Sequence, residues 1–371
     1  MTIERELVRI AMSFTAGIAI SGISATCSGT TSTAPSTISL TIAAFCVACL
    51  LHPRHKDLDN SLLWIIITII FLCLGFFVSA TGKLVSSSCG NETSLLSGYA
   101  LRFGEKMSGI IAGLPFADSD TNSLITALIT GNRSGLSKET TAAFRESGAS
   151  HILALSGLHL GIIYGIMRWA TSLLGNGKTQ RILRSAIIIS LCGFYTLTTG
   201  ASASITRAFL FIILGETASL TGRFRSTRSI LWTALILQLF FIPESAGDIG
   251  FQLSYAAMAG IAYIYPFLKN LWPETDEGAV RKGLKWIWNS ASMSIACQIT
   301  TGPLAWIYFG TFPKYFLLTN LISLPLVGLI IPFSIAVIGL SACGICPDFL
   351  VRVLESMTDV LEFCLKTIAD L

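Results

Sequence analysis

The residues with the most chemistry are crowded into one apolar stretch, Ser150 to Gly161, which reads SHILALSGLHLG. A charged side chain inside a membrane helix costs about 2.5 to 3.5 kcal/mol, so such groups face a cavity or a partner. If 151–174 is one helix, His151, Ser156 and His159 share an arc of about 140°, and His159 points about 200° away from Gly157. Gly157, Gly161 and Gly165 then form a small-residue stripe at four-residue spacing, a face on which another helix can pack closely. This pattern allows a polar path through a bundle, or hydrogen bonds that bridge neighbouring helices. A Ser156 nucleophile with His159 as its base is a weaker third reading. The pair is only three residues apart on one segment, and no second span supplies a base. No catalytic residue is assigned, and no enzymatic activity is expected.

Further polar residues lie in apolar surroundings in the same half of the chain. Arg207 follows Ser202 and Ser204, and Glu216 lies further along the same run. Asp248 and Gln252 open another run, while Gln298 and Asn320 belong to the last two. One helix-helix hydrogen bond could satisfy any one of them, but together they imply a polar interior. The 10 Cys include the pairs Cys46/Cys49 and Cys343/Cys346. A zinc site needs two such pairs or histidine partners outside hydrocarbon, so no metal is expected and packing is the reading for Cys46 and Cys49. Cys27 and Cys89 fall on the same predicted side, and whether they pair is open. No cofactor is implied.

The elements that must position these groups follow from composition. Of 371 residues, 52% are hydrophobic and only 12% charged, with mean hydropathy +0.70; a soluble domain carries roughly a quarter charged residues. A single soluble globular domain is excluded. About ten apolar runs have the length a helix needs to cross hydrocarbon, at 8–25, 36–51, 62–82, 151–174, 184–200, 204–220, 229–243, 249–268, 287–309 and 316–341. A β-barrel would alternate with period two, and that alternation is absent. The expected fold is therefore all-α, a polytopic integral membrane helical bundle of about ten transmembrane helices plus amphipathic segments. The first run lacks a small-residue cleavage site and reads as a retained span.

Lys and Arg collect in alternate short loops. Arg5 and Arg9 precede the first run, 26–35 carries no charge, and His52 to Lys56 follows the second. Lys178, Arg181 and Arg184, then Arg223, Arg225 and Arg228, then the Lys269 to Lys285 loop, continue that alternation. The N-terminus is thus predicted in the cytoplasm. The expected organisation is a three-helix membrane region at 1–82, an extracytoplasmic or interfacial segment at 83–120, a membrane domain at 121–345 and an amphipathic C-terminal helix at 346–371. In that last segment Arg352, Glu355, Asp359, Glu362 and Lys366 recur at three- and four-residue steps. Either a helix lying in the membrane interface or one packed on the bundle fits that spacing.

Several ordered blocks carry a resemblance. LITGNRSGL at 128–136 and FRESGASHILALSGLH at 144–159 come first, then GASASITRA at 200–208 and GFQLSYAA at 250–257 after Pro243. QITTGP at 298–303 follows, leading to Phe312, Pro313 and Asn320. Over roughly 100–345 the chain resembles the ComEC-type competence protein family. The resemblance implies a channel in the bacterial inner membrane that carries one strand of incoming DNA into the cytoplasm during natural transformation. Family members often carry an OB-like domain and a metallo-β-lactamase-like domain as well. About 70 residues between the third and fourth runs leave little room for the first, and no His-x-His-x-Asp-His run follows residue 341. Any nuclease activity is therefore expected to come from another protein or to be absent.

A polyanionic strand needs positive or hydrogen-bonding groups along its path. Arg133, Lys138, Arg145 and Arg207 are the candidates for guiding phosphates at the outer mouth. His151, Ser156, His159, Arg207, Glu216, Asp248, Gln252, Gln298 and Asn320 are the candidates for the path. The partners implied are single-stranded DNA, a DNA receptor, a nuclease, a cytoplasmic helicase or ATPase, and membrane lipid, with a homo-oligomer left open. The competing reading is a secondary transporter of a small or lipid-like substrate with a midplane site; ten runs without an evident inverted repeat argue against it.

Overall fold

The computed structural model describes residues 2–28, 39, 42, 60–86, 95–175, 177–221, 226–273, 278–310, 312 and 314–371. The described chain is all-helical, with no strand among these residues. The run 36–51, with Cys46 and Cys49, lies almost wholly outside them, as does Cys89. Every other predicted run is helical over most of its length. Among the described residues three helices are long and apolar enough to cross a membrane: Lys178–Thr198, Ala203–Leu220 and Phe316–Ala342. That is fewer than the expected ten or so.

The described residues form two compact units, one of Met1–Glu92 with Arg225–Tyr255, the other of Thr93–Phe224 with Ala256–Leu371. In the first, α1 (Thr2–Ser28) packs on α2 (Asn60–Ser86) and on α10 (Thr227–Phe241). Two glycines let the backbones of α1 and α2 touch. A Cβ on Gly17 would lie 2.0 Å from the Leu72 carbonyl oxygen, and one on Gly75 would lie 2.1 Å from that of Phe14. No other residue fits at either crossing point. Glu4 meets Arg228 at 3.3 Å across α1 and α10.

The second unit holds α3 (Leu95–Ala112), α4 (Ser119–Thr130), α5 (Lys138–Glu146), α6 (Ser150–Leu153), α7 (Gly157–Ser172), α8 (Lys178–Thr198) and α9 (Ala203–Leu220). After α11 (Ile249–Ala259), whose last residues belong to this unit, come a π-helical turn at Gly260–Ile264, α12 (Tyr265–Lys269), α13 (Ala279–Phe309), α14 (Phe316–Ala342) and α15 (Asp348–Ala369). The π turn precedes Pro266, whose ring cannot continue the α-helical ladder. A Cβ on Gly260 would lie 2.3 Å from the Ala296 carbonyl oxygen, so α13 runs against the bare backbone of the π turn.

One core gathers Leu124, Leu128, Phe144, Ile152, Ile330, Leu354 and Leu361 from α4, α5, α6, α14 and α15. A second joins Leu155, Leu160, Ile188, Cys192 and Ile205 from α7, α8, α9 and the residues before α7. The C-terminal helix packs on the bundle. Val351, Leu354, Leu361, Leu365 and Ile368 are buried, and the carboxylate of Glu355 accepts the backbone N–H groups of Ala117 (2.8 Å) and Asp118 (3.2 Å). Lys366 pairs with Glu139 on α5 at 3.0 Å.

Candidate functional site

The stretch 150–161 is not one helix. It breaks at Ala154 and Ser156, whose backbones are extended, so α6 ends at Leu153 and α7 begins at Gly157. The shared arc assigned to His151, Ser156 and His159 therefore does not exist. The break has a local cause. Ser156 is the N-cap of α7, its hydroxyl accepting the Leu158 N–H at 3.3 Å while its own N–H donates to His159 Nδ1 at 3.3 Å. This is a reciprocal capping box with histidine where Glu or Gln is usual. Because Nδ1 accepts a backbone N–H, the ring hydrogen belongs on Nε2. His159 is 1% exposed, and its Nε2 is buried with no hydrogen-bond partner. Ser156 Oγ lies 3.2 Å from Nδ1, but that nitrogen already closes the cap, so the pair holds a helix end and is not arranged as nucleophile and base. His151 is exposed on α6, its Nδ1 3.2 Å from the Gly148 carbonyl.

The glycine stripe survives at one position. A Cβ on Gly157 would rest 3.5 Å from Ala208 Cβ, ordinary packing of α7 against α9, whereas Gly161 and Gly165 meet nothing within 4 Å. Next to Ala208, Arg207 is 2% exposed, among the largest fully buried side chains in the molecule. The turn that leads into α9 is tight, with Gly200 at φ 76° and Ala201 at φ 49°. A guanidinium buried this deeply depends on its surroundings for compensation.

Glu216, 5% exposed, lies near the other end of α9. Tyr164 of α7 donates to its Oε1 at 2.8 Å and Ser185 of α8 donates to its Oε2 at 2.5 Å. Arg168 Nη1 donates to the Tyr164 hydroxyl oxygen at 2.8 Å. Glu216 thus ties three helices together, the fate expected of a single intramembrane polar group. Nothing in the sequence marks Tyr164, Arg168 and Ser185, because the partners of a carboxylate on another helix have no fixed spacing from it.

Asn320 stands in the second turn of α14, its Oδ1 buried without a hydrogen-bond partner. Its neighbour Thr319 donates to the Ser147 carbonyl at 2.6 Å, which binds the start of α14 to the segment before α6. Gln298 lines an open, mainly apolar cavity of about 440 Å³ with Ile295, Gly302, Trp306, Phe312 and Phe316. Trp306 and Phe312 are exposed there, and both are aromatic surfaces on which a base could stack. The sequence signal for them was the QITTGP block leading to Phe312.

Asp248 and Gln252 belong to the other unit and hold local structure. The Asp248 carboxylate accepts the N–H groups of Gly250 (3.2 Å) and Phe251 (3.1 Å), and Gln252 donates to the Ala246 carbonyl at 2.9 Å. Arg133, Lys138 and Arg145 are exposed around α5, Arg145 meeting Glu146 at 3.8 Å. Among the described residues no group of His, Cys, Asp and Glu could hold a metal ion.

The family model described as Competence protein matches residues 128–371. The chain belongs to the competence protein family. It is similar to the ComE operon protein 3 of Bacillus subtilis (strain 168), 27% identical over 215 residues, which cover 58% of this chain and 25% of that protein. It is also similar to the competence protein ComA of Neisseria gonorrhoeae, 28% identical over 231 residues, which cover 58% of this chain and 31% of that protein. This competence protein therefore aligns with about a quarter to a third of each relative's length. No solved structure matches it. The matched region contains the α7 capping box, Arg207, Glu216, Gln298 and Asn320.

Proposed function

We propose that this competence protein forms the membrane-embedded part of a channel that passes single-stranded DNA into the cytoplasm during natural transformation. The observation that carries the reading is the match of the competence family over 128–371, the region that holds the buried ionisable groups His159, Arg207 and Glu216. In this reading the chain sits in the bacterial inner membrane, crosses it about ten times and keeps its N-terminus in the cytoplasm. His159, Arg207, Gln298 and Asn320 line the path, with Trp306 and Phe312 as stacking surfaces. Ser156 and Glu216 position them, the first by capping α7 and the second by holding α7, α8 and α9 together. Arg133, Lys138 and Arg145 attract phosphates from outside. The chain carries out no catalysis, and a DNA receptor, a nuclease and a cytoplasmic helicase or ATPase act with it.

The test is uptake of end-labelled double-stranded DNA into a DNase-protected cytoplasmic pool. Deletion of the gene from a competent host is expected to abolish protection, and the intact gene to restore it. Arg207→Gln, present in the membrane at the normal level, is expected to fail. Unchanged uptake after deletion would remove DNA transport from the account and leave a small-substrate transporter.

A further inference from the structure

The hairpin of α7 and α8, residues 157–198, contains four Lys or Arg and no Asp or Glu. All four, Arg168, Lys178, Arg181 and Arg184, lie at the end where the two helices join. Their placement is built. Arg181 Nη2 donates to the Ser219 carbonyl in the last turn of α9, and Arg184 Nη2 to the Gly175 carbonyl in the connecting turn, each at 2.7 Å. Arg168 is held by the Tyr164 hydroxyl. Each of these bonds uses one guanidinium nitrogen and leaves other donors for a ligand. The carboxylate on the packed helix α9, Glu216, is buried and already bonded to Tyr164 and Ser185, and Arg168, which shares Tyr164 with it, feels its charge.

The same end exposes large apolar side chains. Trp169 is 72% exposed, Leu173 83% and Ile182 53%. Water accommodates the cations but not the apolar groups, whereas the boundary of a phospholipid leaflet takes both, with stems and rings among acyl chains and cations among phosphates. α8, long and apolar enough to span, starts inside this cluster. A nucleic acid strand would need a series of aromatic surfaces; Trp169 is accompanied here by aliphatic residues. We propose that the joined end of the α7–α8 hairpin binds the phosphate of an anionic phospholipid, with Arg168, Lys178, Arg181 and Arg184 around the headgroup and Trp169 and Leu173 in the acyl boundary.

The full chain, purified in detergent, is titrated with phosphatidylglycerol and with phosphatidylcholine, and retained lipid is read by native mass spectrometry. Phosphatidylglycerol is expected to be retained at a concentration at least about tenfold lower than phosphatidylcholine, since each cation near a phosphate contributes on the order of 1 kcal/mol. The triple variant K178Q/R181Q/R184Q is expected to erase that preference. Because Arg181 and Arg184 also hold backbone carbonyls, Lys178→Glu is the cleaner variant, and it is expected to weaken phosphatidylglycerol retention severalfold while melting with the parent. Equal retention of the two lipids, or a preference that survives both variants, would overturn the proposal. So would full displacement of phosphatidylglycerol by millimolar inorganic phosphate, which would point to a soluble anion, or by a single-stranded oligonucleotide, which would point to a nucleic acid surface.

Discussion

His159 does two things that a substitution can separate. Its Nδ1 completes the cap of α7, and its Nε2–H is buried without an acceptor. Replacement by Ala removes both, so a loss of uptake in His159→Ala would not say which matters. Glutamine at the third position of a capping box accepts the N-cap N–H just as glutamate does, so His159→Gln is expected to keep the melting temperature of the parent and to lose DNA uptake. Ser156→Ala is expected to cost about 1 kcal/mol, the usual effect of losing an N-cap, seen as a lower melting temperature. Normal uptake by His159→Gln would make His159 a cap alone. The sequence displayed the polarity of this stretch clearly. It did not display the break, because a Ser-x-x-His pair resembles a polar stripe on a continuous helix until the backbone of Ser156 is seen to be extended.

At the scale of elements, apolar run length identified the helices well, and it failed where backbone chemistry overrides hydropathy. Ser156 opens a gap in 151–174, a run apolar enough to read as a single span, whereas 249–268 stays continuously helical through a π turn ahead of Pro266. The C-terminal helix shows how a charge pattern becomes legible only with its partners. Burial raises the Asp359 and Glu362 carboxyls above the ordinary carboxylate range. For Asp359 the neighbouring acids Glu355 and Asp118 add to the shift. For Glu362 Lys366 opposes it, while Asp120, Asp118 and Asp359 add to it. A carboxyl whose folded value is raised binds protons more tightly when folded, so its ionisation weakens the folded state as pH rises through the window between the two values. The docking of α15 is therefore expected to tighten on acidification through that window, just above the ordinary carboxylate range. Protection factors for amide exchange along α15, taken relative to the intrinsic rate at each pH, are expected to rise there, and Asp359→Asn with Glu362→Gln to flatten the response. Falling protection factors in the parent on acidification would contradict it. Lys366 works in the alkaline range, where its hydrogen bond to Glu139 raises its value, so its contribution persists until pH exceeds that raised value.

At the scale of the molecule, the blocks that carried the family resemblance lie in the part of the chain where buried polar groups face one another across helices. There Gly260 on Ala296 lets two helices approach backbone to backbone, as Gly17 on Leu72 does for α1 and α2 in the other unit. None of that closeness was visible in composition, because a glycine in an apolar run reads the same whether or not a neighbour touches it. The channel account makes its sharpest demand on α14. Asn320 is half-buried beside fully buried Thr319, and Leu329 is 61% exposed. Nine residues apart, they lie about 180° from each other around the helix. A photoreactive phenylalanine analogue is placed at one position or the other in a competent host, and labelled DNA is irradiated during uptake. The account predicts a covalent adduct of the internalised strand with the chain at position 320 and none at 329. Labelling at 329 equal to that at 320, or uptake that proceeds with no adduct at 320, would contradict it.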